Sequence, residues 1–508
     1  MRSEVMVMMV GAGIASAAIG QGCSFTEQNP GHCFNNGGDE YCRTRDPSRP
    51  FCERGQDECI SSSNDLGCVA ERPVDSCYSP CGGRATLDEN GECLMGEESS
   101  SGSTSEGMTG ETGTTTEGSS TTGPQPCLGN DDCTDAATPF CEPDSGQCVR
   151  CDGVANPDGA CAEADATNPL CIEGACVACT PENPAVCDDQ LLLCDGDTNA
   201  CVPCTEHGQC GSGACELAMG RCFPEDFVVH VDGDGGQDYT SIAAAVGDVD
   251  DGLYGVIVVH ELDGAASYQT AGGLTIGGGK TIALLAAPGE APIIQGTGTN
   301  PGLRVEVAGT TVYVDGLSVS GNTGGLGIQV DEAFAWLDRS RVVQNSGGGI
   351  VAQNSAELTL RNCFVGGGAQ DVDALALNGS SLEMLYTTVG GGGVLGGRAR
   401  ALFCEGASMA NVRNSILVSA DPMPEVECTG VTITNSATET DVGNLDIGWF
   451  NGYAAGDFSL TTMGMPSGAS VFANVAVWQA GDPDVDIDGT PRPTTDGAMD
   501  FAGADAVP

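Results

Sequence analysis

The words "VDGLSV" (314–319), "LDRSRV" (337–342) and "LRNCFV" (360–365) follow one another at steps of 23 residues. Similar words come later, "LYTTVG" (385–390), "VRNSIL" (412–417) and "ITNSAT" (433–438), so the step varies between 21 and 27 residues. Apolar and polar residues alternate within each word roughly as they do in β-strands. Glycine-rich breaks such as "SGNTGG" (320–325) separate the words. A short strand that recurs at this interval predicts an all-β fold built from repeated coils.

The predicted fold is a parallel β-helix, in which each coil turns through about three strands and equivalent residues stack ~4.8 Å apart. We expect the first residue of each word to point inward onto its counterparts: Val314, Leu337, Leu360, Leu385, Val412 and Ile433. Upstream, Val305, Ile328 and Val351 keep the 23-residue step. Asn362, Asn414 and Asn435 share one position, where stacked amides at a turn can satisfy backbone groups. A leucine-rich horseshoe is the main rival, but it needs a regular leucine pattern and a helical return, which this sequence lacks.

Two early segments carry a family resemblance. "FVVHVDGDGGQDYTSIAAAV" (227–246) and "GVIVVHELDGAASYQTAGGLTIGGGKTIALLAAPGEAPIIQG" (255–296) resemble the opening of proteins of the pectin-lyase-like superfamily. The resemblance reaches about residue 440 and implies a right-handed parallel β-helix, which we assign to residues 224–445. It also implies a short helix capping the barrel, with Thr240 or Ser241 as N-cap. Its core-facing residues would be Ile242, Ala245, Val246 and Val249.

The C-terminal stretch "DIDGTPRPTTDGAMDFAGADAVP" (486–508) resembles the tail of bacterial surface β-helix proteins grouped as choice-of-anchor Q. The residues that match its pattern are Asp486, Gly489, Arg492, Asp500, Gly503, Ala504 and Asp505. The spacing departs from that pattern by one residue at Ala502. We assign residues 446–508 to a C-terminal cap and tail, and the resemblance implies a location on the cell surface without naming an activity.

Cysteines dominate the first half of the chain, with 25 of the 28 before residue 223. After a cysteine-rich module (23–96) and a flexible linker rich in Ser, Thr, Gly and Glu (97–126), residues 127–223 form four four-cysteine repeats joined by C-x-x-C. Each repeat is too poor in apolar residues to bury its own core, so we expect two disulfides per repeat with undetermined connectivity. A zinc or redox function would need thiolates, which an oxidising compartment removes.

Residues 1–22 read as an export signal, because an apolar run too short and glycine-rich for a membrane span follows Arg2. Two outcomes stay open. Cys23 becomes the lipidated first residue of an outer-membrane or cell-surface lipoprotein, or the chain is simply secreted. Lipidation of Cys23 leaves an even number of cysteines in the first module, which favours it. No later apolar run is long enough to span a bilayer.

Charge restricts the partners of the protein. The chain has 71 acidic and 18 basic residues, a net charge of −53, and one lysine, Lys280. Phosphate binding needs clustered Lys and Arg, so a nucleic-acid partner is excluded. Polyanions are repelled for the same reason unless a cation bridges them. The partners that remain are a neutral or cation-bridged glycan, another surface, and a membrane only through an N-terminal lipid.

The candidates for chemistry are few. Asp338 and Arg339 lie in one word, and Arg361 and Arg413 lie in neighbouring coils, where they form either a small site or a solvated face with local ion pairs. No residue is assigned to catalysis, and the four histidines lack catalytic spacing. Asp484, Asp486 and Asp488 open like an EF-hand calcium loop but lack its final glutamate. Otherwise no cofactor is expected.

Two hypotheses therefore describe the function. The first is a non-catalytic surface protein whose β-helix binds a glycan or another surface. The alternative is a polysaccharide lyase or glycoside hydrolase of the pectin-lyase-like superfamily, which needs carboxylates and a basic residue converging in a groove.

One prediction is independent of both functional hypotheses. Cys404 and Cys428 stand one coil apart and should be bonded to each other, whereas Cys363 should be a buried free thiol.

Overall fold

The computed structural model describes residues 42, 49, 51–52, 68–69, 85–87, 93–95, 126–135, 137–264, 266–366, 372–392, 399–420 and 424–507. The predicted export signal, the lipidation residue Cys23 and residues 97–125 of the predicted linker lie outside these ranges. The chain divides into two compact units, residues 1–120 and 121–508. In the first unit, the strands Phe51–Cys52 and Cys68–Val69 pair antiparallel, as do Ala85–Leu87 and Cys93–Met95, and a disulfide joins Cys42 to Cys68.

The four repeats share one disulfide connectivity, in which the first cysteine bonds the third and the second bonds the fourth. The pairs are Cys127–Cys141, Cys133–Cys148, Cys151–Cys171, Cys161–Cys176, Cys179–Cys194, Cys187–Cys201, Cys204–Cys215 and Cys210–Cys222. A short antiparallel hairpin carries the third and fourth cysteines of each repeat.

The hairpin strands are Phe140–Glu142 and Gln147–Val149, Leu170–Ile172 and Ala175–Val177, Leu193–Asp195 and Ala200–Val202, and Cys215–Glu216 and Arg221–Cys222. The helical segments are the α-helices Pro157–Ala164 and Ala185–Asp188 and the 3₁₀ turns Asn130–Asp132, Cys151–Gly153 and His207–Gln209. Hence the segment between the first and second cysteines of each repeat contains a short helix or 3₁₀ turn, and the segment between the third and fourth cysteines is a hairpin.

Residues 228–438 form a parallel β-helix of three sheets, in which each strand pairs with the equivalent strand of the next coil. The nine-stranded sheet contains Val228–Val231, Tyr254–Val259, Thr281–Ala286, Thr311–Asp315, Phe334–Asp338, Glu357–Arg361, Ser381–Leu385, Met409–Arg413 and Val431–Thr434. The eight-stranded sheet contains Ser267–Thr270, Ile293–Gly296, Ser318–Ser320, Arg341–Val343, Phe364–Gly366, Thr388–Gly391, Ile416–Ser419 and Ala437–Thr438. The seven-stranded sheet contains Leu274–Ile276, Leu303–Glu306, Ile328–Asp331, Ile350–Gln353, Leu375–Asn378, Leu402–Glu405 and Val426–Glu427. The predicted all-β fold class, a parallel β-helix preceded by disulfide-rich modules, is confirmed.

The register agrees with most of the repeated words and corrects one of them. Val314 pairs with Leu337 and Leu337 with Leu360, as predicted. Leu360 pairs with Met384, however, so the predicted inward position of Leu385 is wrong by one residue. Because side chains alternate along a strand, this shift turns Leu385 outward and buries Met384.

The upstream file is also corrected. Ile328 pairs with Leu303 and Ile350, whereas Val305 belongs to a second inward file. Val351 lies opposite Gln329 and faces outward from the barrel core. The coils of this sheet do not have a constant length of 23 residues. A constant step therefore moves from the inward position of Val305 to that of Ile328, two residues earlier in the strand, and then to the outward Val351.

The repeated asparagines mark a sharp turn between the nine-stranded and eight-stranded sheets. Asn362, Asn414 and Asn435 have φ values of 52°, 56° and 47°, the left-handed region that asparagine tolerates better than most residues. The same turn position in other coils holds Arg339 and Tyr386, also at positive φ. The recurrence of asparagine at this position is thus explained by the left-handed backbone conformation of the turn.

The barrel interior is a continuous apolar core, closed at the N-terminal end by the α-helix Ile242–Asp248. Ser241 precedes this helix, and its buried face carries Ile242, Ala245 and Val246, with Val249 buried just beyond it. These are the core-facing residues that the sequence predicts. The cap shields the apolar interior of the first coil from water.

The fourth repeat packs on the outer face of the nine-stranded sheet. Ala214 and Phe223 lie in one apolar cluster with Val256, Leu285 and Tyr313 of the β-helix. Phe223 meets Tyr313 edge to face, with ring centroids 5.9 Å apart. The last disulfide repeat is therefore joined to the barrel wall by a packed interface.

Residues after 438 cover the eight-stranded sheet. Their helical segments are Glu439–Val442, Ile447–Trp449, Tyr453–Ala455 and Gly468–Phe472, and their strands are Phe450–Gly452, Asp457–Leu460, Ala476–Val477 and Met499–Asp500. Aromatic residues of this region, including Phe450, Phe458 and Phe472, pack on Phe364 and Ile416 of the sheet. In the described part of the chain, no helix is both long and apolar enough to cross a membrane.

Most of the tail residues that carry the C-terminal resemblance are buried and hydrogen-bonded. Arg492 donates to Asp500 Oδ2 (3.0 Å) and to the carbonyl of Gly503 (2.8 Å), and its guanidinium lies 4.0 Å from the ring centroid of Tyr386. Asp486 accepts hydrogen bonds from the backbone N–H groups of residues 488, 490 and 506. Gly503 has φ 88°, and a Cβ there would meet Thr388 Oγ1 at 2.5 Å. The pattern has a direct structural role here, which is to seat the tail on the barrel.

Candidate functional site

A groove of ≈ 490 Å³ runs along the outer face of the nine-stranded sheet, across its last five strands. The parallel register aligns Trp336, Thr359, Glu383, Asn411 and Thr432 in a single file, one residue per coil. We call this the groove file. Since equivalent strand positions stack ~4.8 Å apart, it presents polar groups and one indole at regular intervals along the barrel.

A second file forms one side of the groove. It runs from Asp338 through Arg361, Leu385, Arg413 and Thr434, two residues further along each strand. Gly481, in a loop of the C-terminal tail, adds to the lining. The groove is therefore built from both the barrel wall and the tail.

Contacts within the groove hold its side chains in place. The Arg361 guanidinium lies 5.8 Å from the ring centroid of Trp336. Asn411 Nδ2 donates to Glu383 Oε1 at 2.6 Å. Trp336 is partly exposed, and its Nε1 is buried without a hydrogen-bond partner among the described residues. An indole in this state combines an apolar surface with an unused donor.

The candidate arginines of the sequence are all engaged in ion pairs. Arg339 donates to Asp315 through two nitrogens, and Arg361 donates to Asp338 of the preceding coil. Arg413 binds Asp482 of the tail through both terminal nitrogens. The hydrogen bonds that Arg339 donates to Asp315 raise the pKa of Arg339 above its usual range, and those that Arg413 donates to Asp482 raise the pKa of Arg413. Burial acts to lower the pKa of Arg361, but the charge of Asp338, the hydrogen bonds to it and the charges of Asp315 and Glu206 together raise that pKa.

The three aspartates considered for calcium have separate partners. The carboxylate of Asp486 accepts hydrogen bonds from backbone N–H groups, and Asp488 forms an ion pair with Arg341 at 2.5 Å. Asp484 is exposed. Among the described residues, the groups of metal-ligating side chains are cysteine sets whose sulfurs are bonded in disulfides.

Two of the histidines form a hydrogen-bonded chain on the first coils, away from the groove. His260 Nδ1 lies 3.1 Å from Glu290 Oε1, and His260 Nε2 lies 3.1 Å from His230 Nδ1. The centroids of the two rings are 5.3 Å apart, about the separation expected when the two bonded nitrogens lie on the line between the centroids. That alignment suits a hydrogen bond between the rings rather than two lone pairs directed at one metal ion.

The remaining cysteines lie where the repeat predicts. Cys404 and Cys428 form a disulfide, with a Cα–Cα distance of 4.6 Å. Cys363 is a buried free thiol whose pKa is raised by burial. Its backbone N–H donates to Thr387 Oγ1 and the N–H of Thr387 to Ser415 Oγ, so Cys363 belongs to a file of small polar residues inside the turn.

Sequence reasoning missed most of the groove. It singled out Arg361 and Arg413, which line the groove and are neutralised by aspartates, and Asp338, which pairs with Arg361 outside the groove lining. It did not identify the groove file. The sequence does contain a signal for this file, because each of its members lies one residue before the inward-facing residue of its strand.

Residues 111–228 match the model of a family of unknown function (DUF8331). No curated protein matches the chain. Among solved structures, Escherichia coli YbhC is 14% identical with a TM-score of 0.25, over 42% of this chain and 71% of that one.

Two further solved structures are similar to the chain at the same low level. The pectin methylesterase of Aspergillus niger is 12% identical with a TM-score of 0.21, over 42% of this chain and 84% of that one. The pectate lyase Pel9A is 12% identical with a TM-score of 0.21, over 56% of this chain and 96% of that one.

Proposed function

We propose that this is an exported, surface-anchored protein whose β-helix binds a glycan in the groove and does not cleave it. The observation that carries this proposal is the groove file, which repeats the same outward position on five successive coils. A polymer laid along the barrel meets one side chain at the equivalent position of each coil. Trp336 supplies the apolar face on which a sugar ring stacks, and Asn411 and Thr432 supply hydrogen-bonding groups.

Charge selects the class of glycan. Arg361 and Arg413 are already paired with aspartates, so the groove offers little free positive charge. Glu383 adds a carboxylate, and the whole chain carries −53. A neutral glycan, or an acidic one bridged by a cation, is therefore the expected ligand.

The enzyme alternative lacks support in the groove. Glycoside hydrolysis ordinarily uses two carboxylates flanking the scissile bond. Among the described residues that line the groove, Glu383 is the one carboxylate. A lyase base must be able to lose a proton, whereas the pKa values of Arg339, Arg361 and Arg413 are raised by their aspartate partners.

A glycan panel tests binding and cleavage together. The full chain should retain a neutral glycan without releasing reducing ends, and should release no unsaturated uronide from polygalacturonate or alginate with calcium present. Trp336→Ala should weaken retention roughly fivefold or more, because stacking of a ring on an aromatic side chain is typically worth about 1 kcal/mol or more. Met409→Ala is the matched control, since Met409 is exposed on the same sheet outside the groove lining. Release of product that Arg361→Ala abolishes would establish the enzyme alternative.

Surface anchoring is the second part of the proposal. The disulfides of the repeats are typical of chains that fold in an oxidising compartment. We propose that Cys23 carries the lipid, and that the choice-of-anchor-Q-like tail belongs to the same surface class. Replacement of Cys23 by Ser should release the chain into the medium. Retention of that variant in the envelope would argue against lipidation and leave the glycan proposal unaffected.

A further inference from the structure

A second, much smaller cavity lies where the fourth repeat, the β-helix and the C-terminal tail meet. It has a volume of ≈ 10 Å³, close to the space that the centre of one water molecule needs. His207 of the repeat, Asp338 and Asn362 of the barrel, and Val485 of the tail all line it. Arg361 lines both this cavity and the groove, so the two sites share a wall.

Three residues around this cavity each carry a buried polar atom that has no hydrogen-bond partner within the described structure. These atoms are His207 Nε2, Asp338 Oδ1 and Asn362 Oδ1, and all three side chains are more than nine-tenths buried. One orphaned polar atom in a protein interior is costly, and three around one cavity are a strong indication of a bound group.

The hydrogen-bonding role of each atom follows from its neighbours. The backbone N–H of Cys215 donates to His207 Nδ1 at 3.0 Å, so Nδ1 holds a lone pair. Burial lowers the pKa of His207, which keeps the ring neutral and puts its proton on Nε2. Nε2 is therefore a donor.

The other two atoms are acceptors. Asp338 uses Oδ2 to bind Arg361, which leaves the lone pairs of Oδ1 toward the cavity. Asn362 Nδ2 donates to the carbonyl of Val485 at 3.0 Å, and this contact assigns the opposite atom of the amide as oxygen. The cavity thus offers one donor and two acceptors.

We propose that the cavity binds one structural water molecule, which accepts a hydrogen bond from His207 Nε2 and donates to Asp338 Oδ1 and Asn362 Oδ1. Water matches this set, since it has lone pairs for one donor and two hydrogens for two acceptors. A metal ion would meet an N–H at Nε2, and an ammonium ion cannot accept from it. The water joins the fourth repeat to the barrel beside the groove and adds to the packed interface between Phe223 and Tyr313.

A double-mutant cycle on the full chain tests this water. His207 and Asn362 exchange no direct hydrogen bond in the structure, so their effects on the unfolding midpoint should add unless a shared group couples them. His207→Phe removes the donor, and Asn362→Gly removes the amide while tolerating φ 52°. We expect the double variant to lose clearly less in midpoint temperature than the two single losses combined.

Asn414→Gly provides the matched control, because Asn414 has the same turn conformation two coils away and does not line the cavity. His207→Phe with Asn414→Gly should be additive. A crystal structure of the unmodified chain, at a resolution that shows ordered solvent, should contain one peak within hydrogen-bond distance of all three atoms. The proposal is overturned if both pairs are additive, or if His207 Nε2 contacts Asp338 directly with no peak between them.

Discussion

Arg492→Met should be among the most destabilising single substitutions in the tail. Arg492 is fully buried and Asp500 is 3% exposed, and their side chains lie 3.0 Å apart. Met keeps the volume but leaves the Asp500 carboxylate buried without its partner. Removal of one member of a buried pair typically costs about 3–5 kcal/mol, because the remaining charge is neither hydrated nor compensated.

The assay is denaturant unfolding followed by tryptophan fluorescence, since Trp449 and Trp478 lie in the cluster that the tail completes. Arg341→Met is the matched control. Arg341 also ties the tail to the barrel, through Asp488, but the two side chains are 34% and 49% exposed. An exposed pair contributes about 0–1 kcal/mol, so the control should unfold near the parent midpoint. Adding Asp500→Leu to Arg492→Met should recover part of the loss. Equal effects of Arg492→Met and Arg341→Met would refute the argument from burial.

Three further outcomes can be measured on the same chain. Burial raises the pKa of Asp505 to about 6, so the folded state binds that proton more tightly than the unfolded state. The stability that this group contributes is present below about pH 4 and is lost as the pH rises through 6. In thermal unfolding, the advantage of Asp505→Asn over the parent should therefore grow from about pH 4 to about pH 7. Replacing both Cys404 and Cys428 by Ser should cost about 3 kcal/mol by the loop-entropy estimate for a separation of 24 residues, and a loss under 1 kcal/mol would contradict it. Cys363→Ser should change the unfolding free energy by less than about 1 kcal/mol because a hydroxyl can replace the thiol as acceptor in its polar file. Cys363→Val should cost about 1–3 kcal/mol, because it leaves the backbone N–H of Ser340, which donates to the Cys363 sulfur, without a partner. A larger loss for Ser than for Val would refute this role of the file.

The sequence predicts the barrel well because a parallel β-helix repeats its pattern locally. A periodic inward position such as Leu337 or Leu360 needs only the alternation of side chains and the length of one coil. The prediction failed at Leu385, where the coil length changes and a non-asparagine residue, Tyr386, occupies the turn. The alternation of Leu382, Glu383 and Met384 carries the true register, because a shift of one residue would turn Glu383 into the core.

The functional site was less predictable, because its walls come from distant parts of the chain. The sequence places Arg413 on a coil, but nothing local indicates that Asp482 of the tail neutralises it. His207 reads as an isolated histidine in a disulfide repeat, and only the docking of that repeat brings it to Asp338. Ion pairs and cavities formed between segments depend on tertiary packing, which periodicity does not encode.

The disulfide connectivity of the repeats has a mechanical consequence. When the chain is pulled between its N-terminal side and the barrel, tension crosses each repeat by two parallel covalent paths. One path runs through the disulfide from the first to the third cysteine and then along the hairpin to the fourth. The other path runs along the chain from the first to the second cysteine and then through the second disulfide to the fourth. Only these two segments and the C-x-x-C joint can lengthen. The hairpin from Cys141 to Cys148 reaches at most ~25 Å when fully extended. The repeats therefore behave as a short tether of nearly fixed maximum length, which keeps its covalent path intact under loads that would unravel an ordinary domain.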